Sequence, residues 1–274
     1  MQTQFVANAA ALAERVDDGS CMALAPDYSG CAMQVALQIA LQGTRQLQLV
    51  GVPQIGLQGD WLIGAGCVAS IDAAAVTLGE LGPAPRFVEA VTAGRLQMRD
   101  STCPIIHAGL QAAEKNIPFM PIRGVLGSDL VRHRDDWRTI NNPFADRDDS
   151  VLLVPQIKPD IALLHAPLAD RDGNVWIGIR RELMLMAHAA KRTLVSVERF
   201  TDENLLADPV RAAGVIPGLY VSAIAVAEKG ANPTGLFGEY AADTDTVAGY
   251  RSAATSDAAC VEWLQEYAST CKQH

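Results

Sequence analysis

Short apolar runs alternate with amphipathic stretches along most of this chain, and that alternation is what most limits its fold. Cys21 to Ala25, Gln46 to Val50, Ala73 to Leu78 and Leu96 to Arg99 each read as a strand. So do Val151 to Val154, Ile161 to His165, Thr193 to Val197 and Leu219 to Ala223. Helical periodicity falls between them. Met33, Leu37 and Leu41 recur at every fourth position, and Gly43 stands where a left-handed C-terminal glycine is expected. Further helices are predicted at Trp61 to Ala65, Arg86 to Ala93, Pro104 to Lys115 and Gly178 to Ala190, after an opening helix from Gln4 to Val16. Strands separated by helices mean βαβ units, and βαβ units mean an α/β fold with a mostly parallel sheet. Arg132 to Ser150 is the most polar stretch and reads as a surface excursion, a flap rather than a domain boundary. One domain over residues 1–274 is the expectation.

Composition agrees and excludes several functions. Of the 274 residues, 49% are hydrophobic and 19% charged, which suits a globular core and argues against disorder. The formal net charge of −9 disfavours nucleic acid as a partner, although a local Arg or a row of backbone N–H groups could still hold a small phosphorylated molecule. Six cysteines show no C-x-x-C spacing, no basic leader precedes the opening helix, and no apolar run reaches transmembrane length. A cytoplasmic protein with reduced thiols and no membrane segment is the expectation.

Four segments carry the candidate chemistry. Leu78-Gly-Glu-Leu-Gly-Pro-Ala-Pro-Arg-Phe87 follows a predicted strand, at the end where open α/β sheets bind ligands. Glu80 is the ionisable group of that turn, and it serves either as a catalytic group or as a cap for the helix near Pro85. Thr102-Cys103-Pro104 opens a helix. Pro suits the first turn, which places Cys103 at or beside the N-cap, where a thiolate is favoured. A small buried packing residue is the competing reading. Pro118 to Asp129 reads as an ordered loop, with Gly124 and Gly127 permitting close approach to a ligand and Arg123 able to fork onto a carboxylate or phosphate. Ser128 adds a hydroxyl and a backbone N–H, but the loop matches no phosphate-binding glycine pattern. Pro159 to Val175 reads as a buried strand running into an Asp-Gly-Asn turn. His165 sits at its end, either catalytic or a hydrogen-bonded packing residue. No G-x-S-x-G elbow supports a serine hydrolase.

These residues resemble a known family. LGELGPAPRFVEAVTAG (78–94), IPFMPIRGVLGSDL (117–130) and PDIALLHAPLADRDGNV (159–175) are similar to the α subunits of family I CoA-transferases, of the glutaconate CoA-transferase type. VSVERF (195–200) and IPGLYVSAIAVAEKGANPTGLFGEY (216–240) fit in the same order. The resemblance implies a three-layer α/β/α sandwich and a β subunit paired as αβ or α2β2, with the acyl-CoA site between subunits. It implies that the attacking glutamate belongs to the partner. This chain would then orient carbonyl and carboxylate groups through Glu80, Arg123 and the Gly127-Ser128 backbone. Coenzyme A enters as part of the substrate, with no tightly bound cofactor and no metal.

The same family includes non-transferring members. GLQAAEKNIPFMPIRGVLGS (109–128) is also similar to the α subunit of a steroid ring-cleaving acyl-CoA hydrolase. That subunit carries a catalytic glutamate just before this helix, about where Cys103 stands here. A decarboxylase of a glutaconyl-type CoA ester is a third kind. Asn232 departs from the His expected in many relatives. A non-catalytic sugar-phosphate-binding protein would need a basic face and a helix-turn-helix, which the acidic composition disfavours.

Overall fold

The computed structural model describes residues 3–271. Its main sheet is built from β1 (Gln4–Phe5), β2 (Cys21–Leu24), β3 (Leu47–Gly51), β4 (Val68–Ala73) and β5 (Gln97–Asp100). A small sheet of β6 (Phe119–Ile122), β7 (Arg138–Asn141) and β8 (Ser150–Pro155) interrupts it. The chain then returns with β9 (Ile161–Asp170), β10 (Val175–Trp176), β11 (Arg192–Thr201), β12 (Val215–Ile216) and β13 (Ala223–Val226). The helices are α1 (Ala9–Ala13), α2 (Met33–Gln42), α3 (Leu57–Gly64), α4 (Pro85–Thr92), α5 (Cys103–Glu114), α6 (Leu130–His133), α7 (Arg181–Ala189), α8 (Thr244–Ala253) and α9 (Asp257–Cys271).

The strand order is β1-β13-β11-β9-β2-β3-β4-β5, and every pairing along it is parallel. From β2 the chain winds outward through β3, β4 and β5. It then crosses back to β9 on the other side of β2 and winds outward in the opposite direction. Right-handed crossovers put helices of the two windings on opposite faces. The packing follows that rule: α1, α2, α3 and α4 pack in sequence with α8 and α9, whereas α5 packs on α7. The layers enclose one large apolar core, and β9 is buried at all ten positions, as a central parallel strand should be.

Several sequence expectations shift, each for a local reason. The opening helix is short because Asn8 caps it, accepting from Ala11 N–H, and the residues before it form β1 on the edge of the sheet. The strand expected at Ala73 to Leu78 lies earlier, at Val68–Ala73, and residues 74–78 form the connection beyond it. Leu219 to Ala223 divides into a short 3-10 turn and the start of β13. The first part of the 118–129 segment is a strand, β6, because it pairs antiparallel with β8. The polar excursion after it supplies α6 and β7. Gly43 is left-handed as expected, at φ 78°, and Gly173 of the Asp-Gly-Asn turn has φ 86°.

Candidate active site

The reversal of strand order between β2 and β9 opens a crevice at the carboxyl ends of the strands, where open α/β sheets bind ligands. A cavity of about 1000 Å³ lies there. Its walls come from the segments that follow β2 (Asp27, Tyr28), β3 (Gln54, Gly56), the 77–81 turn beyond β4 and the 234–242 segment beyond β13. Arg180, just before α7, also lines it.

Glu80 faces this cavity from a short 3-10 turn, Gly79–Leu81. Gly79 and Gly82 have φ of 63° and 89°, conformations that favour glycine, and the Thr77 hydroxyl donates to Gly82 O at 3.0 Å to close the loop. Glu80 is exposed and does not cap α4. Asp60 performs that task instead, accepting from Phe87 N–H at 2.8 Å and from Arg86 N–H at 3.3 Å. Asp60 also accepts from the Tyr250 hydroxyl at 2.8 Å, which ties the C-terminal helices to the start of α4.

Asp27 sits across the N-terminus of α3. Both its carboxylate oxygens accept from Leu57 N–H, at 3.0 and 3.1 Å, and a Cβ on Gly56 would strike them. Burial pushes the Asp27 carboxyl up to about 6, and this hydrogen bond offsets only part of that rise.

Behind the cavity lies a buried polar network. His165 Nδ1 is 2.8 Å from Ser196 Oγ, and Nε2 is 2.7 Å from Glu198 Oε1. Glu198 also accepts from the Tyr240 hydroxyl at 2.8 Å, from Lys229 N–H at 2.7 Å and from Gly230 N–H at 3.2 Å. Burial alone would raise the Glu198 carboxyl, yet the hydrogen bonds from His165 and Tyr240 hold it below the usual range. An ionised Glu198 has no proton to give, so Nε2 carries the hydrogen between them. Tyr240 projects from this network into the cavity wall, its hydroxyl held up in pKa by burial and by Glu198. Of the two readings of His165, the structure supports the hydrogen-bonded one: the ring is fully buried.

Cys103 is the first residue of α5, after the N-cap Thr102, and it is exposed rather than a packing residue. It lies close enough to Tyr28 for its charge to contribute to the raised pKa of that phenol, behind burial and Glu182. Two residues on, Ile105 shares a small second core with Val125, and Leu126 packs against it, so the 123–128 loop neighbours the start of α5. That loop does not reach the cavity. Arg123 is exposed and forks onto Asp149, Gly124 and Gly127 face open space, and the Ser128 hydroxyl donates to Val125 O at 2.7 Å. Thus Glu80 shares the cavity with Asp27, Tyr28, Arg180 and Tyr240, while Cys103, near Tyr28, and the Arg123 loop do not line it. Among the described residues no three His, Cys, Asp or Glu side chains converge as a metal site.

A doubly wound α/β chain with a ligand cavity at its topological switch point is therefore the class that the fold and site define. No protein-family model matches the chain. It is 32% identical over 233 residues to the α subunit of glutaconate CoA-transferase from Acidaminococcus fermentans, covering 75% of this chain and 71% of that one. It is 29% identical to the corresponding subunit of 3-oxoadipate CoA-transferase from Pseudomonas knackmussii, covering 92% and 89%. It is 31% identical to IpdA of the cholesterol ring-cleaving hydrolase from Rhodococcus jostii, covering 68% and 65%. The crystal structure of the Acidaminococcus glutaconate coenzyme A-transferase matches with a TM-score of 0.87 at 26% identity, covering 96% and 88%. That of a variant of the decarboxylase AibA/AibB matches with 0.84 at 28%, covering 98% and 100%. This chain belongs to the family of CoA-transferase α subunits.

Proposed function

We propose that this chain is the α-type subunit of a heteromeric CoA-transferase. A β-type subunit completes the enzyme, as αβ or α2β2, and supplies the nucleophilic glutamate. The supporting observation is the cavity itself. It presents binding groups at the switch point, and the carboxylates around it are largely committed: Asp27 to the α3 N-terminus and Glu239 to Arg199, at 2.8 and 3.0 Å. Glu80, exposed and beside the cavity, is the group free to act on a bound acyl-CoA. The partner's carboxylate attacks the thioester carbonyl and expels CoA thiolate, leaving an acyl–glutamyl anhydride; the thiolate attacks the glutamyl carbonyl, giving the enzyme–CoA thioester and releasing the donor acid, and a second carboxylate reverses the sequence to leave as its CoA ester. Cys103 and the Arg123–Ser128 loop, outside the cavity, contribute where the partner closes over the substrate. The acyl group is that of a dicarboxylic or oxo acid, coenzyme A is bound only as part of the substrate, and the enzyme is cytoplasmic. Among the described residues no helix is long and apolar enough to cross a membrane.

Hydrolysis or decarboxylation of a CoA ester is the second reading, favoured by the likeness to IpdA and to the AibA/AibB decarboxylase. Cys103, at about the position where the ring-cleaving hydrolase keeps its glutamate, counts against identical hydrolase chemistry. The test is co-purification with the neighbouring-gene product followed by borohydride treatment in the presence of acyl-CoA. A reduced glutamate on the partner is the expected result. Turnover of acyl-CoA without any trapped thioester would assign the enzyme to the hydrolase or decarboxylase branch.

A further inference from the structure

We infer that Arg180 selects the acyl group, by pairing with a carboxylate at its far end; this rests on the acyl-CoA reading of the cavity. Arg180 lines the cavity. Its guanidinium lies 5.3 Å from the Tyr28 ring centroid and 5.7 Å from that of Phe237, so two aromatic faces limit where it can point. Both rings are exposed, at 51% and 56%, and stand at the rim rather than in the core.

No acid among the described residues pairs with that cation. Arg86, Arg123, Arg134 and Arg199 each hold an ion pair, whereas Arg180 has none among the described residues. Glu80 lines the same cavity but makes no ion pair with Arg180, and three other nearby carboxylates are engaged elsewhere. Glu182, two residues along, accepts from the Ser29 hydroxyl, Asp27 is bonded to Leu57 N–H, and Glu239 is paired with Arg199. The Arg180 Nε is buried with no acceptor among the described residues, and a buried donor left unpaired is costly. A carboxylate entering the cavity supplies the guanidinium with the partner it lacks among the described residues, accepting two parallel bonds in the geometry a guanidinium fork is built for. Leu78, Leu236 and Val247 give the same cavity an apolar wall suited to the methylenes between that carboxylate and a thioester.

A monocarboxylic acyl group fills the apolar wall but leaves Arg180 unpaired in the closed site. Selection therefore works through both a gained pair and an avoided orphan. Arg123, which the sequence offers for this task, is committed to Asp149 outside the cavity.

The test uses the co-purified enzyme with glutaryl-CoA and butyryl-CoA as donors and acetate as acceptor. Wild type is expected to prefer glutaryl-CoA. Arg180→Met should lower kcat/KM for glutaryl-CoA by roughly 30- to 100-fold, the size of a lost charge-assisted pair, with butyryl-CoA little changed. Arg180→Lys, which keeps the charge and loses the fork, should fall between. Equal losses on both donors, or an unchanged preference, overturn the assignment. A wild-type enzyme that turns over both donors equally also overturns it, while leaving the acyl-CoA reading intact. One that turns over no acyl-CoA at all removes that reading, and this assignment with it.

Discussion

Two regions of the molecule handle charge in opposite ways. Behind the cavity, His165, Ser196, Glu198 and Tyr240 form a buried network anchored on parallel strands β9 and β11. Around the β6–β8–β7 sheet, the pairs of Arg123 with Asp149 and of Arg132 with Asp129 lie at the surface. Water screens the second kind and hardly reaches the first. The lesson is that the interior network fixes a wall of the cavity, whereas the outer sheet can lose these two surface pairs and keep its shape.

The largest expected effect is therefore in the network. Glu198→Ala strands His165 Nε2, the Tyr240 hydroxyl and two backbone N–H groups, and should cost about 3–5 kcal/mol in denaturant unfolding. A cost no greater than that of an exposed ion pair would erase the contrast between the regions.

Asp27 should show next, through pH. Its carboxyl is raised from 3.8 to about 6, so its protonated form is the one the fold favours. The stability it contributes is fully present below pH 3.8 and is lost as pH rises through about 6, by about 2–3 kcal/mol. Glu198 is lowered and works in reverse, its contribution present above the ordinary carboxylate range and lost on acidification. Comparing wild type with Asp27→Asn between pH 4 and 6.5, in melts, should reveal a downward slope with rising pH that the variant lacks. Parallel curves would mean that Asp27 is solvated.

Gly230→Ala probes the network's backbone, since a Cβ there would lie 2.5 Å from the His165 ring and 2.7 Å from Ala227 O. We expect a loss of about 1–3 kcal/mol, read in the same unfolding assay. Cys103→Ser, on the exposed start of α5, should change the catalytic rate while moving stability by less than about 0.5 kcal/mol. Equal activity with a lowered melting temperature would return Cys103 to a packing role. Arg123→Ala is the smallest: an unchanged melting temperature and an unchanged preference between glutaryl- and butyryl-CoA. A lost preference would bring the 123–128 loop into the cavity.

What was legible in the sequence follows the same division. Regular βαβ periodicity set out most of the parallel sheet, because buried strands and amphipathic helices each imprint a period on the chain. The glycine-rich turn carrying Glu80 could be placed by the strand-end rule alone. Applied to β2, that rule also points to Asp27 and Tyr28, and a carboxylate within the apolar run VSVERF was a visible sign of Glu198. Arg180 and Tyr240 carried no local mark, because their positions depend on how distant segments meet. Asp60 shows this most clearly. It caps a helix that starts some 25 residues later, and no spacing rule anticipates that, so the sequence leaves Glu80 open as either that cap or a catalytic group.

The pairing of β1 with β13 governs the order in which the protein can be completed. Gln4 sits beside Ala223, so β1 finds its neighbour only after more than two hundred further residues have been synthesised. β2, β3, β4 and β5 can assemble meanwhile from adjacent βαβ units, and β9 then docks beside β2. The cavity thus draws its two halves from segments synthesised at different times, and β1 can take its place in the sheet only once β13 has been made.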